Sequence, residues 1–486
     1  MYLACCSESC SSSAALANLG LLPDEHLKYG LALLMLTWKS IVVAALLLSP
    51  LCLLPSCGGP ELVERQPNIV LVLVDDLGTE GLGCYGGLSI PTPRIDGLAT
   101  EGARYTQAHT TPLCTPTRVR LMTGRGGLQN YVDFGTLHPD EVTFAQQLKK
   151  AGYETGVVGK WQLLGDVVAN KGGESSWTGS SPSHAGFESW CLWQTESRGS
   201  RYFDPTLDFD GQTQVLEGEY GPDVFVEWAE AFIAQERSAP FLLYYPMVLP
   251  HDPFVGTPGS LPDSSPELED ETESERNQRY FEDMARHIDV VIGRLLDQIE
   301  ELGIAEQTLF VFATDNSHSR HVMLTAEGRE YGGRKYITND FGTRVPLIVR
   351  WPGRINSKQE VGDLVDLMDL MPTLIEAGGA ELPQGVQIDG DSLLPTLIDG
   401  APWDREALTF WYHPRPHAEG AAELRWARGQ RFKLYGDGRL FDLDKDPLEG
   451  RPLLVDTASG PAQKARIKLQ AHLDALPERP ARVLAQ

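Results

Sequence analysis

The run Ile69-Val-Leu-Val-Leu-Val74 is aliphatic at every position and ends in Asp75-Asp76. A strand with one wet face alternates apolar and polar residues. A run without alternation is buried on both faces, as in a parallel sheet covered by helices. A second run of this kind, Thr308-Leu-Phe-Val-Phe-Ala-Thr314, ends in Asp315-Asn316. Thr155-Gly-Val-Val-Gly-Lys160 and Phe241-Leu-Leu-Tyr-Tyr-Pro-Met-Val248 read as further strands, the latter just before Pro250-His251. Helical patterns over 143–151 and in the stripe Phe281, Met284, Ile288, Val291, Leu295, Ile299 and Leu302 supply covering layers. The stretch 255–276, rich in Pro, Ser, Asp and Glu, reads as an exposed loop. The alternation predicts an α/β chain, doubly wound around a mostly parallel sheet with helices on both faces. Such folds place their sites at strand carboxyl ends, where Asp75, Asp76, Asp315 and Asn316 stand.

The texture changes near residue 400. Short mixed segments at 407–412, 423–426 and 432–435 predict a small antiparallel sheet, closed by a helix over 461–475. At the other end, Lys39 precedes an apolar run from Ile41 to Leu54 that Pro50 interrupts. It is short for a membrane span and reads as a signal-peptide core, with an uncleaved anchor as the alternative. Leu54-Pro55-Ser56-Cys57 resembles a lipobox, which would make Cys57 a lipidation site. Residues before Met35 read as an upstream extension. The expected layout is a leader over 1–57, a catalytic domain over 60–400 and a C-terminal α+β subdomain over 401–486. The protein is expected to be exported to the periplasm or cell surface, with any membrane attachment through lipid only.

The 486 residues carry a net charge of −26, which argues against nucleic acid as the main partner. An acidic surface gives no long-range pull on an anionic substrate either. Any anion site must be a local pocket of cations or metal. Of the eight cysteines, only Cys84, Cys114 and Cys191 lie beyond residue 57, which is neither a disulfide framework nor zinc spacing. Asp75, Asp76, Asp315 and Asn316 offer hard oxygen ligands, suited to Ca²⁺ or Mg²⁺ rather than zinc. Each pair alone is as readily a turn or helix cap. Two pairs at two strand ends together favour a metal site.

Cys114-Thr-Pro-Thr-Arg118 carries the pattern Cys-x-Pro-x-Arg, followed by Met122-Thr-Gly-Arg125. Gly152-Tyr-Glu-Thr-Gly-Val-Val-Gly-Lys160, Pro250-His251, Thr314-Asp315-Asn316, Arg344-Val-Pro-Leu-Ile-Val-Arg-Trp-Pro-Gly353 and Leu440-Phe-Asp-Leu-Asp-Lys-Asp-Pro447 continue the series. In this order the chain resembles the formylglycine-dependent sulfatases of the alkaline-phosphatase-like superfamily, from Pro67 to about Asp446. The resemblance implies that superfamily's fold and hydrolysis of a sulfate ester on a small molecule or glycan. It implies formylglycine at Cys114, made by a formylglycine-generating or other sulfatase-maturing enzyme, and calcium bound with residue 114 completing the shell. The hydrated aldehyde would attack sulfur and expel sulfate by collapsing back; an ordinary Ser or Cys would leave a stable ester. Arg118, Lys160, His251 and Lys335 match positions that hold the hydrate and clamp the sulfate, Lys335 by its nine-residue distance from Arg344. His251 would bind sulfate or protonate the leaving alcohol.

The departures are specific. Gln162 stands two residues after Lys160, where the family commonly has a histidine, and an amide accepts no proton at neutral pH. His109 and His184 are the nearest substitutes in sequence. Asp340-Phe-Gly342 replaces the usual Glu-Gly-Gly, and Ser317-His-Ser-Arg-His321 is unusually rich in His and Arg, as a substrate mouth or as an exposed loop. Trp161, Trp177, Trp190 and Trp193 are either sugar-stacking surfaces or core. Two other functions share much of this pattern: a phosphodiesterase or phosphonate monoester hydrolase of the same superfamily, and a non-catalytic lipoprotein binding sulfated glycans.

Overall fold

The computed structural model describes residues 66–165, 178–195, 199–416, 422–454 and 460–482. The leader, Cys57 and Trp177 lie outside these residues. The main sheet contains β1 (Asn68–Val74), β2 (Ala103–Tyr105), β3 (Glu154–Lys160), β4 (Ser189–Trp193) and β5 (Thr206–Phe209). It continues with β6 (Gln212–Val215), β7 (Phe241–Pro246), β8 (Thr308–Thr314), β9 (Leu347–Arg350) and β10 (Gln359–Val361). Their spatial order is β10-β2-β9-β8-β1-β7-β3-β4-β5-β6. β1 lies between β7 and β8, parallel to both, and β3 runs parallel to β7 and β4. Antiparallel neighbours begin at β9 on one side and β5 on the other.

Along β1, Ile69, Leu71 and Leu73 enter one core while Val70, Val72 and Val74 enter the other. Neither face is wet, which is why positions 69–74 carry no polar residue. The covering helices are α1 (Pro93–Glu101), α2 (Cys114–Thr123), α3 (Phe144–Lys150), α4 (Gly221–Ile233), α5 (Glu273–Glu301) and α6 (Leu370–Ala377). α1, α4 and α5 bury apolar residues with the valines of β1; α2, α3 and α6 do so on the other face. Thr143 with Gln146, and Thr272 with Glu275, form capping boxes that fix where α3 and α5 begin. Leu302, the last residue of the sequence stripe, falls at the C-cap of α5. The loop predicted over 255–276 holds a short 3-10 turn, Pro266–Leu268, and ends earlier than expected, because the Thr272 cap starts α5 at Glu273. Among the described residues, no helix is long and apolar enough to cross a membrane.

A second, four-stranded antiparallel sheet follows: β11 (Leu408–Tyr412), β12 (Leu424–Arg428), β13 (Phe432–Tyr435) and β14 (Leu440–Asp442). Helix α7 (Pro461–Asp474) packs Leu469 and Leu473 against it. Phe410, Tyr412, Trp426 and Tyr435 of this sheet instead cluster with Leu113 and Cys114. The small sheet thus roofs the segment that begins α2. Two buried ion pairs fasten it. Arg120 of α2 forks onto Asp366 at 2.7–3.0 Å and donates to the Thr409 carbonyl at 3.2 Å. Arg428 of β12 donates to Asp340 through Nε at 3.1 Å.

Burial opposes the charge on Asp340, but Arg428, His109 and Arg344 outweigh it and hold the carboxyl far below its ordinary value. A depressed carboxyl contributes stability above its unfolded value near ~3.9, lost as pH falls below that. Asp340→Asn leaves Arg428 buried without its carboxylate, at an expected cost of about 3–5 kcal/mol at pH 7. Urea titrations read this cost, and the gap to wild type should narrow below about pH 4. An undiminished midpoint in the variant at pH 7 would show that the pair does not hold the sheet.

Candidate active site

The two strand ends meet as neighbours. Asp75 and Asp76 leave β1, Asp315 and Asn316 leave β8, and all four are buried. The Asp315 amide donates to the Val74 carbonyl at 3.0 Å, and the Asp76 amide donates to Asp315 Oδ1 at 3.0 Å. Asp76 makes the turn with φ of 70°, a left-handed conformation that Asp tolerates better than most residues. Two strands along the sheet from β1, beyond β7, Lys160 ends β3. Its approach depends on Gly159, whose φ is 115° and where an added Cβ would lie 2.2 Å from the Pro246 carbonyl oxygen.

Cys114 opens α2, so the helix N-terminus faces the carboxylates. Its Sγ lies 4.0 Å from Asp76 Oδ1. Arg118 is one turn further on the same face. It forks onto Asp315 Oδ2 at 3.1 and 3.0 Å and lies 3.5 Å from Asp75 Oδ1. Lys160 Nζ donates to Asp75 Oδ2 at 2.7 Å, and Lys335 Nζ donates to Asp76 Oδ2. Lys335 Nζ is also 3.0 Å from His251 Nε2. Ligand atoms of Asp75, Asp76, Cys114 and His251 all lie within 4.8 Å of one another. The sequence-predicted residues therefore come together, with His251 closer to the carboxylates than a pure substrate-binding group would need to be.

The electrostatics follow from three buried carboxylates against three buried cations. Burial works against ionising Asp75, but Lys160, His251 and Arg118 hold its carboxyl well below the usual range. Asp315 is pushed up to about 8 by burial first and Asp75 second, over the pull of Arg118. Burial drives His251 down to about 4, so it is neutral at pH 7. Its Nδ1 sits 2.6 Å from the Asp252 carbonyl, which places the proton there and leaves Nε2 as an acceptor. Burial pushes the Cys114 thiol up, over the pull of Lys160 and Lys335, so it is held as a neutral thiol. Asp75 Oδ1 and Asn316 Oδ1 are buried without a hydrogen-bond donor. Orphaned oxygens on a hard donor set fit a divalent cation, calcium or magnesium.

Several residues escaped the sequence or were misplaced by it. Gln162 turns with φ of 53° and its buried Oε1 has no partner. Gln194 follows β4, the neighbour of β3; its φ is 65° and both its amide atoms are buried without a partner. No motif surrounds Gln194. Arg201, far from any motif, donates to the Asp252 carbonyl beside His251. Neither suggested substitute base reaches the carboxylates: His109 faces Asp340 at 4.0 Å, and His184 bonds the Pro139 carbonyl at 2.8 Å. Trp161 is core, donating to the Ser180 carbonyl at 2.9 Å, and Trp193 is buried beneath the Arg201 guanidinium. The His- and Arg-rich loop divides: His318 is buried, while Arg320 and His321 are exposed.

The family model described as Sulfatase matches residues 67–380. The chain belongs to the sulfatase family. A second family model, described as N-sulphoglucosamine sulphohydrolase, C-terminal, matches residues 332–478 of this sulfatase. Human arylsulfatase A is 29% identical over 496 aligned residues, covering 88% of this chain and 92% of the relative. N-acetylgalactosamine-6-sulfatase from Homo sapiens is 30% identical, covering 71% and 69%. A solved structure of a protein in complex with its substrate, D-glucosamine-2-N,6-O-disulfate, superposes with TM-score 0.67 at 23% identity, covering 84% and 97%. This sulfatase is accordingly a sulfuric ester hydrolase with the alkaline-phosphatase-like fold.

Proposed function

We propose that the protein hydrolyses a sulfate ester carried on a carbohydrate, using formylglycine made from Cys114 and one divalent cation, calcium or magnesium. The observation that carries this reading is the placement of Cys114 Sγ 4.0 Å from Asp76 Oδ1, amid Arg118, Lys160 and Lys335. A neutral buried thiol is a poor nucleophile as it stands, which supports its conversion. Asp75, Asp76, Asp315 and Asn316 would hold the cation, which when bound polarises sulfate oxygens and acidifies the attacking hydroxyl. Lys160 and Lys335 are compact charges placed to clamp sulfate oxygens. Arg118 forks onto Asp315 and orients it. His251 Nε2 accepts from Lys335, so this pair is the route by which a proton reaches the departing alcohol. Gln162, two residues after Lys160, supplies a buried amide where a histidine base is absent. The carbohydrate rests on the sulfated sugars in the names of relatives. Export through the leader, with Cys57 as its lipid site, and the split near residue 400 belong to the same reading.

The test is the mass of the peptide holding Cys114, after expression with and without a sulfatase-maturing enzyme, alongside turnover of an aryl sulfate. Sulfur replaced by oxygen with loss of two hydrogens at residue 114, together with turnover only in the matured protein, is the expected result. Full activity with an unmodified cysteine would remove the nucleophile from this reading. Faster cleavage of an aryl phosphate diester than of the sulfate would favour the phosphodiesterase alternative.

A further inference from the structure

A cleft of about 740 Å³ opens beside Lys335, lined by Pro253, Phe254, Ser319, Arg320, His321 and Tyr336 among others. Its lining includes Lys335, whose ammonium is already placed at the carboxylates, and the basic pair Arg320 and His321. Arg320 Nε lies 3.4 Å from His321 Nε2, and no carboxylate among the described residues pairs with it. Arg279, Arg294, Arg350 and Arg405, by contrast, are held by acids. The carboxylate that does line the cleft, Asp252, lies 3.2 Å from His251 Nδ1.

The loop bearing Arg320 is held in place. The Lys335 amide donates to the His318 carbonyl at 3.1 Å and the Gly333 amide to the Val322 carbonyl at 3.2 Å. Gln278 of α5 both donates to the Met323 carbonyl and accepts from its amide, at 2.7 and 2.9 Å. Tyr336 is 62% exposed and its amide is tied to the Pro112 carbonyl at 2.8 Å, so the ring is presented rather than tucked away. Ile337 and Phe254 add apolar lining. An aromatic and apolar lining that also carries cationic donors suits a sugar ring better than a lipid-like alcohol.

We propose that Arg320, with His321, recognises a second anionic group on the alcohol part of the substrate, a carboxylate or a further sulfate on the sugar. This rests on the sulfatase reading above, with the scissile sulfate at Lys160 and Lys335. A guanidinium fork matches planar carboxylate and sulfate oxygens, which would make Arg320 a determinant of specificity rather than of the chemistry.

The experiment compares three probes: an aryl sulfate with no other charge, one bearing a carboxylate and one bearing a second sulfate. Matured wild type should favour a charged probe at least about tenfold in kcat/KM, with the difference in KM and shrinking at high salt. Which charged probe gains tells carboxylate from sulfate. Arg320→Ala should bring that preference to about unity, and Arg320→Lys should restore part of it. Calorimetry of the three probes with the Cys114→Ala protein reads the same preference without turnover. Equal affinity and equal kcat/KM for all probes, or an equal loss on all three in Arg320→Ala, overturns the assignment. If no probe is turned over, the sulfatase reading fails, and the calorimetric arm still decides whether Arg320 selects a second charge.

Discussion

Cys114→Ala is expected to reduce kcat for an aryl sulfate by about 10⁴-fold or more, because removing a nucleophile takes away the whole covalent route. The side chain is almost fully buried, so a modest loss of stability accompanies the change, and a melting curve separates the two effects. Cys114→Ser sharpens the test. A serine hydroxyl in the same place has no aldehyde to collapse back to, so it should release at most one alcohol per site and then stop. Steady turnover by the serine variant would mean that departure of sulfate does not need the aldehyde.

The second large effect is expected on stripping divalent cations. Three buried carboxylates from two strand ends, with orphaned oxygens on Asp75 and Asn316, leave the site incomplete without a cation. Chelation should lower kcat by about 10³-fold, the equivalent of several kcal/mol of lost charge stabilisation. Calcium or magnesium should restore it, and the more effective ion identifies the partner. The stripped protein should also melt higher when the cation returns, by about 2.7 kcal/mol at a hundredfold excess over Kd. Full activity after exhaustive chelation, with no change in melting, would remove the cation from the site.

How much of this was legible depends on how locally each feature is encoded. β1 and β8 could be read because apolar residues at every position leave only a doubly covered strand. Their terminal Asp pairs were visible as oxygen donors, and their adjacency followed once both strands were placed in one parallel sheet. Lys335 had no local signature; only its spacing from Arg344 singled it out. Arg201 had none at all, since loop packing brings it to His251. The tryptophans could be read either way from residue type, as sugar platform or core; burial of Trp161 and Trp193 decides for core, and a large exposed ring lining the cleft belongs to Tyr336. Within Ser317–His321, one turn of backbone separates an interior histidine from an arginine in water, which composition cannot report.

The roof over Cys114 has a temporal consequence. Every residue of α2 is buried, and the small C-terminal sheet closes over its first turn. On the reading proposed above, a modifying enzyme would have to reach the segment from Cys114 to Arg118 before this roof closes, while the chain is still unfinished or unfolded. The proposed site, by contrast, draws on positions 75, 114, 160, 251, 315 and 335 and exists only when the last of them has arrived. Conversion would then come first and assembly afterwards. A molecule that folds too quickly would be trapped as a complete but silent copy of the enzyme.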